Sequence, residues 1–417
     1  MSPKIYASKS ITRYIMRLVN RRFVKSGLNI ERVPDGIIVV YGAGSFGVFD
    51  RNGIFVKQSI QSRGKGQIIP PASALSEIHL QFDCDAVFVG SVDKFSIFGH
   101  YLLEHWTRAW AFLDKKYQEM KFVLVNDMRI ETIPDFVLEL ARLLGIPAEN
   151  FIILDKSARF RNVYVPEDSF KLVRFSSKEF GRIYAKIADN VKKNYAFDKI
   201  YVSRAALKHH RVYGEEKVQR IFEKNGYHII YPEQLPLEEQ IALMKNCKSL
   251  AGCSGSALHL AIFMPEGGNV ILMRRNKQLK GGLLIAGTQY LITETKKLDL
   301  VHIEASIEKY KTKHYVDDHA QIIGVNEHMK RFFDDSGFNY SPSDVEFDRE
   351  SWNEYIRQAE KLKAERREKY AGKSDLLVWL LERIVKFISC FIPNRHARVA
   401  FRTKLRKALG ILWFTHI

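Results

Sequence analysis

Short apolar runs recur along this chain, and the residues between them repeat their apolar positions at helical spacing. Between Lys199 and Met273 the alternation is almost uninterrupted. Strands are predicted at Lys199–Ser203, Tyr227–Tyr231, Lys248–Gly252 and Asn269–Met273, and helices at Gly214–Asn225, Leu237–Asn246 and Ser256–Phe263. Strands alternating with helices of about ten residues imply βαβ crossovers and a parallel sheet. Earlier in the chain, strands fit Ala86–Gly90, Lys121–Asn126, Phe151–Leu154 and Asn162–Val165, and helices fit Phe98–Lys116, Ile133–Leu144 and Ser177–Asn194. Residues Ile37–Ser59 read instead as antiparallel strands, because Asp50-Arg51-Asn52-Gly53 is a hairpin turn between apolar runs. The fold class is therefore α/β, with two Rossmann-like halves joined near Asn194–Asp198 and facing a cleft.

Composition and charge change the picture mainly at the ends. With 417 residues and 46% hydrophobic content, the chain suits two domains plus extensions and excludes global disorder. Of a net charge of +18, Met1–Arg32 carries about +7 and Lys373–Ile417 about +7, which leaves the middle near neutral. Residues Lys9–Lys25 place Ile11, Ile15, Leu18 and Val19 at helical spacing opposite a basic face, and Asp375–Ile392 is followed by a second basic amphipathic run. Glu382, Arg383 and Lys386 make the apolar C-terminal run a poor bilayer span. Both ends read as helices lying on an anionic membrane surface, with packing against the domains as the competing reading. Asp344–Ala371 reads as a long exposed helix with one docked face. The basic charge lies outside the α/β middle and no nucleic-acid motif is present, so nucleic acid is not an expected partner. Cys84, Cys247, Cys253 and Cys390 form no Cys-x-x-Cys pattern, which points to free thiols in a reducing cytosol. No signal peptide is evident.

Ligands of parallel sheets bind beyond the carboxyl ends of the strands. Two of those ends carry unusual chemistry: Ser203-Arg204 with His210-Arg211, and Gly252-Cys253-Ser254-Gly255-Ser256. A small-residue turn at a helix start lets backbone N–H groups approach a diphosphate, and arginines supply its counter-charge.

These residues carry a family resemblance. The run Ser203-Arg204, His210-Arg211, Glu215, Tyr231-Pro232-Glu233, Glu239-Gln240, Gly252–His259 and Phe263-Met264-Pro265 resembles the family 61 glycosyltransferases, a group with many bacterial capsule and lipopolysaccharide proteins. Phe98–Trp110 resembles that family's His-x-Leu-x-(Asp/Glu) helix. Many members have His-Gly-Ala-Gly where this chain has Ser254-Gly255-Ser256-Ala257, so that imidazole has no counterpart here. The resemblance implies a GT-B-like fold. The organisation expected is a basic N-terminal arm over 1–32, an acceptor domain over 33–195, a nucleotide-sugar-binding domain over 196–305 and a helical extension over 306–417.

The expectation that follows is an inverting, metal-independent glycosyltransferase acting on a glycan of bacterial surface polysaccharide, the acceptor lipid-linked and the enzyme peripheral on the inner face of the cell membrane. It uses no cofactor beyond a nucleotide-sugar donor, expected to be UDP-linked. Arg204, His210 and Arg211 would face the diphosphate, Ser254, Gly255 and Ser256 would cradle it, and Glu233 and Gln240 would touch ribose, base or sugar. His259 belongs to the same helix start. Glycosyl transfer needs a base for the acceptor hydroxyl, and His100, Glu104 and Asp93 are the candidates in that order. Glu104 pairing with Arg108 one turn on is the structural alternative.

Two further motifs resolve differently. Gly42-Ala43-Gly44-Ser45-Phe46-Gly47 has dinucleotide-fingerprint spacing, but a turn rather than a helix follows, so glycines at a sheet bend are expected. Asp83-Cys84-Asp85 precedes its strand, the wrong end for a metal-held diphosphate. The rival functions are a dinucleotide-dependent oxidoreductase using Gly42–Gly47, and a non-catalytic scaffold of a polysaccharide assembly.

Overall fold

The computed structural model describes residues 3–19, 23–42, 44–60, 68–76, 78–92, 98–127, 130–207, 211–276, 280–308, 320–369, 375–392 and 395–409. Two large sheets organise them. The first is all-parallel, in the order Lys4–Tyr6, Asp299–Glu304, Asn269–Arg274, Ser249–Cys253, Lys199–Val202, His228–Ile230. Its strands are apolar on both faces, as buried parallel strands must be. Alternation still sorts the side chains: Ile200, Val202, Leu250 and Leu272 point into the central core, while Tyr201, Ala251, Ile271 and Met273 point outward. The outer face is covered by helices Glu215–Lys224 and Glu327–Asp335, through Val218, Phe222, Phe332 and Phe333.

The second sheet is mixed. Leu80–Ser91, Lys121–Val125, Phe151–Leu154 and Ala158–Pro166 form its parallel part, with Ile30–Pro34, Ile37–Gly42 and Ser45–Phe49 added antiparallel. One continuous apolar core lies between the two sheets, joining Val87, Phe122 and Leu140 to Ile200, Leu250 and Leu272 through Ile183, Leu260 and Leu291. The helices contributing those last three residues form the central layer.

The N-terminal segment departs from expectation. Lys4–Tyr6 forms an edge strand beside Val301–Ile303, and helix Lys9–Val19 buries Ile11 and Ile15 in the central core. The helix expected to reach Lys25 stops at Val19, and Phe23–Lys25 is a strand paired with Phe175–Ser177. The apolar face expected to meet lipid thus packs on the protein, because burying it there removes it from water without a second phase. Helix Arg349–Lys369 docks through Tyr355, as its stripe predicts. Among the described residues, no helix is long and apolar enough to cross a membrane.

Candidate active site

Three strand ends of the parallel sheet lie side by side. Val202 passes into Ser203-Arg204, Cys253 into Ser254-Gly255-Ser256, and Arg274 into Arg275-Asn276. Register pairs Val202 with Gly252 and Cys253 with Met273, and the Ser254 N–H donates to the Met273 carbonyl at 2.8 Å. Gly255 then turns the chain into the 3-10 helix Ser256–Phe263. Its φ of 166° is extended backbone open to any residue, so space is the reason for glycine. A Cβ there would stand 2.9 Å from Arg204 Nη1. The Arg204 guanidinium therefore lies on the turn itself, beside the N–H groups that a helix start leaves without internal acceptors.

Glu215 supports this arrangement from below. Fully buried in the first turn of its helix, it accepts from the Arg204 N–H and from the Tyr201 hydroxyl, each at 3.1 Å. Burial pushes its pKa up to about 7 against the lowering influence of Arg204. The neighbouring Cys253 thiol is raised by burial, and the charges of Arg275 and Arg204 both oppose that rise. Two guanidiniums thus act at the end of this one strand.

The mixed sheet approaches from the other side. Phe98–His100 opens a short helix that widens into a π-turn over Tyr101–His105, a local geometry often found at functional sites. His100 Nδ1 is hydrogen-bonded to the Glu104 carboxylate, with the Glu104 side chain 6% exposed and that of His100 47% exposed. The carboxylate is anchored inside while the imidazole faces outward. Glu104 does not pair with Arg108, whose buried guanidinium meets Asp168 at 3.2 Å and donates to the carbonyls of Pro166, Gln58 and Ile60, each at 2.9 Å.

The two constellations touch. A Cβ on Gly99 would stand 2.7 Å from Ser256 Oγ and 3.5 Å from His259 Cδ2, so the segment bearing His100 abuts the turn bearing Arg204. His259 is buried and donates Nδ1–H to Gln289 Oε1 at 2.9 Å. Burial, with His100 acting in the same direction, lowers its pKa to about 4, which keeps it neutral at pH 7.

Of the residues singled out by sequence, His100, Glu104, Arg204, Ser254, Gly255, Ser256 and His259 are brought together. Asp93 and His210 lie outside the described residues. Arg211 is engaged elsewhere: it pairs with Glu216 and lies over the Tyr213 ring at 5.6 Å, so the expected arginine pair on the turn is reduced to Arg204. Gln240 donates its amide to the carbonyls of Pro232 at 2.8 Å and Leu235 at 2.9 Å, ordering that loop. Glu233 is exposed on the same loop, beyond the carboxyl end of His228–Ile230. Arg275 and Gln289 escaped the sequence reading. Arg275 lies two residues past the end of a predicted strand, a signal that was available, whereas the pairing of Gln289 with His259 spans 30 residues and has no local signature.

The two motifs set aside by sequence have structural roles. Gly42 and Gly44 flank the hairpin between Ile37–Gly42 and Ser45–Phe49, and the Gly44 N–H donates to Asp127 at 2.7 Å. Asp83 and Asp85 sit within the strand Leu80–Ser91 at a register shift rather than before it, with Asp85 accepting from Arg161 at 2.9 Å and Asn162 at 2.8 Å. Among the described residues, no group of three His, Cys, Asp or Glu could hold a metal ion. A cavity of about 510 Å³ near Lys4, Lys199 and Asn269 opens at the amino edge of the parallel sheet, the end away from Arg204.

The Arg204 turn lies at the carboxyl edge of the parallel sheet, where ligands of such sheets bind, and faces the His100–Glu104 pair. The comparison with known families makes this specific. The family model described as Glycosyltransferase 61 matches residues 98–271, a span that runs from the His100 segment through the Gly255 turn. Over this region the chain is similar to that family, whose description names glycosyl transfer. No curated protein matches the chain.

Proposed function

We propose that the chain is an inverting glycosyltransferase that moves a sugar from a nucleoside-diphosphate donor to a glycan hydroxyl. The observation that carries this reading is the contact between Gly99 and Ser256, which sets the His100–Glu104 pair against the turn on which Arg204 lies. His100, oriented by Glu104, takes the proton of the acceptor hydroxyl as its oxygen attacks the anomeric carbon. The bond from that carbon to the β-phosphate oxygen breaks, and the diphosphate leaves with the electron pair. Arg204 and the N–H groups of the Gly255 turn hold the charge that develops there, and Arg275 adds to the local positive potential. Because the arginine charge serves the leaving group, turnover is expected to persist in a metal chelator. The two sheets then act as donor and acceptor halves of a GT-B-like arrangement. The acceptor proposed is a growing, lipid-linked glycan of a bacterial surface polysaccharide.

Calorimetric titration with UDP, GDP, CMP and their sugar conjugates tests the reading, with Arg204→Ala alongside. Selective binding of one diphosphate, lost in the variant, supports it and fixes the donor class. Absence of binding by well-folded protein would sink it in favour of a non-catalytic scaffold.

A further inference from the structure

Helices Asp375–Cys390 and Arg395–Ala408 form a hairpin with its own small core, separate from the main ones. Leu381 and Val385 pack against Leu405 and Leu409. Arg406 holds Glu382 through two bonds of 2.8 Å, and Arg402 donates to Ser389 at 2.6 Å. The first helix therefore satisfies one face on its partner. The opposite side is apolar: among the described residues Leu377, Leu380, Ile384, Phe387, Ile388 and Phe391 are all exposed, Phe387 at 67% and Phe391 at 71%. At about 100° per residue these six fall within an arc of roughly 100°, a continuous ridge rather than scattered positions. Exposed Arg383 borders that ridge on the flank away from the second helix, with exposed Lys386 further round the same side.

We propose that this ridge inserts into the interface of an anionic lipid bilayer. Residues 375–409 hold eight Lys and Arg against two Asp and Glu, a net +6. That charge complements an acidic headgroup layer, and it opposes the other simple occupant, the same ridge of a second copy, because two +6 hairpins would repel. A ridge about 21 Å long, with cations beside it, matches a helix lying in the interfacial plane rather than crossing it. The N-terminal helix has no such face left, since Ile11 and Ile15 are in the core. The surface is distinct from the Arg204–His100 constellation, so it stands or falls separately from the glycosyl-transfer reading.

Flotation of the full chain with vesicles decides it, using phosphatidylcholine alone or mixed with phosphatidylglycerol. The expected result is flotation with the anionic vesicles, reduced at least about tenfold in Phe387→Ser/Phe391→Ser and unchanged in Arg204→Ala. Both altered phenylalanines are exposed, so circular dichroism and the melting temperature should not move. Equal flotation of the double variant would overturn the proposal, as would failure of folded wild-type protein to float with anionic vesicles. A lipid-free dimer that the double variant converts to monomer would assign the ridge to a second copy instead.

Discussion

The two sheets bring different things to one place. The parallel sheet brings fixed charge: Arg204 sits on a strand end, backed by buried Glu215 and seated on Gly255. The mixed sheet brings a titratable pair on an irregular π-turn, His100 and Glu104. A strand end flanked by paired neighbours is stiff and suits the holding of a diphosphate, which needs charge at a constant position. A proton acceptor needs solvent-side access and an orienting partner, and the turn supplies both. On the function proposed above, binding and chemistry would separate by sheet.

The sharpest way to break the division is His100→Ala. Turnover should fall by about 10²–10⁴-fold while affinity for the nucleoside diphosphate, measured by calorimetry, stays as in wild type. A large loss of nucleotide affinity would place His100 on the donor and dissolve the distinction. Arg204→Ala should do the opposite, weakening nucleotide binding by roughly 10–100-fold through loss of charge-assisted bonds.

Glu215→Gln sharpens the account of the parallel sheet. The Glu215 pKa is raised to about 7 by burial, so its stabilising contribution is full below its ordinary value and is lost as pH rises through about 7. Urea denaturation across that window should show wild type losing up to roughly 3 kcal/mol relative to the variant. A constant difference would mean that Glu215 does not titrate there. The smallest effect belongs to Gly255→Ala. The added methyl crowds the end of the Arg204 side chain at 2.9 Å and meets the Cys253 carbonyl at an ordinary 3.9 Å, so the melting temperature should hold while nucleotide affinity drops about three- to tenfold. A loss of stability without a loss of affinity would detach Arg204 from the donor.

Legibility in the sequence also followed the sheets. The parallel strands were readable because burial on both faces makes each an apolar run, and Ser249–Cys253 and Asn269–Arg274 lie within a residue of their predicted limits. The single helix predicted over Phe98–Lys116 is instead a chain of short α, π and 3-10 turns. Its apolar spacing was compatible with one helix, whereas in the fold Trp106 and Arg108 are fully buried and Arg108 is bound to the carbonyls of Pro166, Gln58 and Ile60, contacts with residues far along the chain. The N-terminal segment failed for a related reason. An apolar stripe along one side of a helix shows that a face will be buried, not what will bury it.

By itself the sequence determined the α/β class, the strand ends that carry Arg204 and Gly255, the His100–Glu104 pair, and the structural nature of the Gly42–Gly47 turn. These are local: each depends on residues within a few positions of one another, where periodicity and turn chemistry act. Tertiary structure alone decided that Arg211 turns to Glu216 while Arg204 lies on the turn, that Gln289 holds His259, and that Gly99 lets the two constellations meet. It also decided which amphipathic end is buried in the core and which keeps an open apolar ridge. Those are contacts between residues far apart in the chain, and no local pattern encodes which of several suitable partners a side chain will reach once the core has closed.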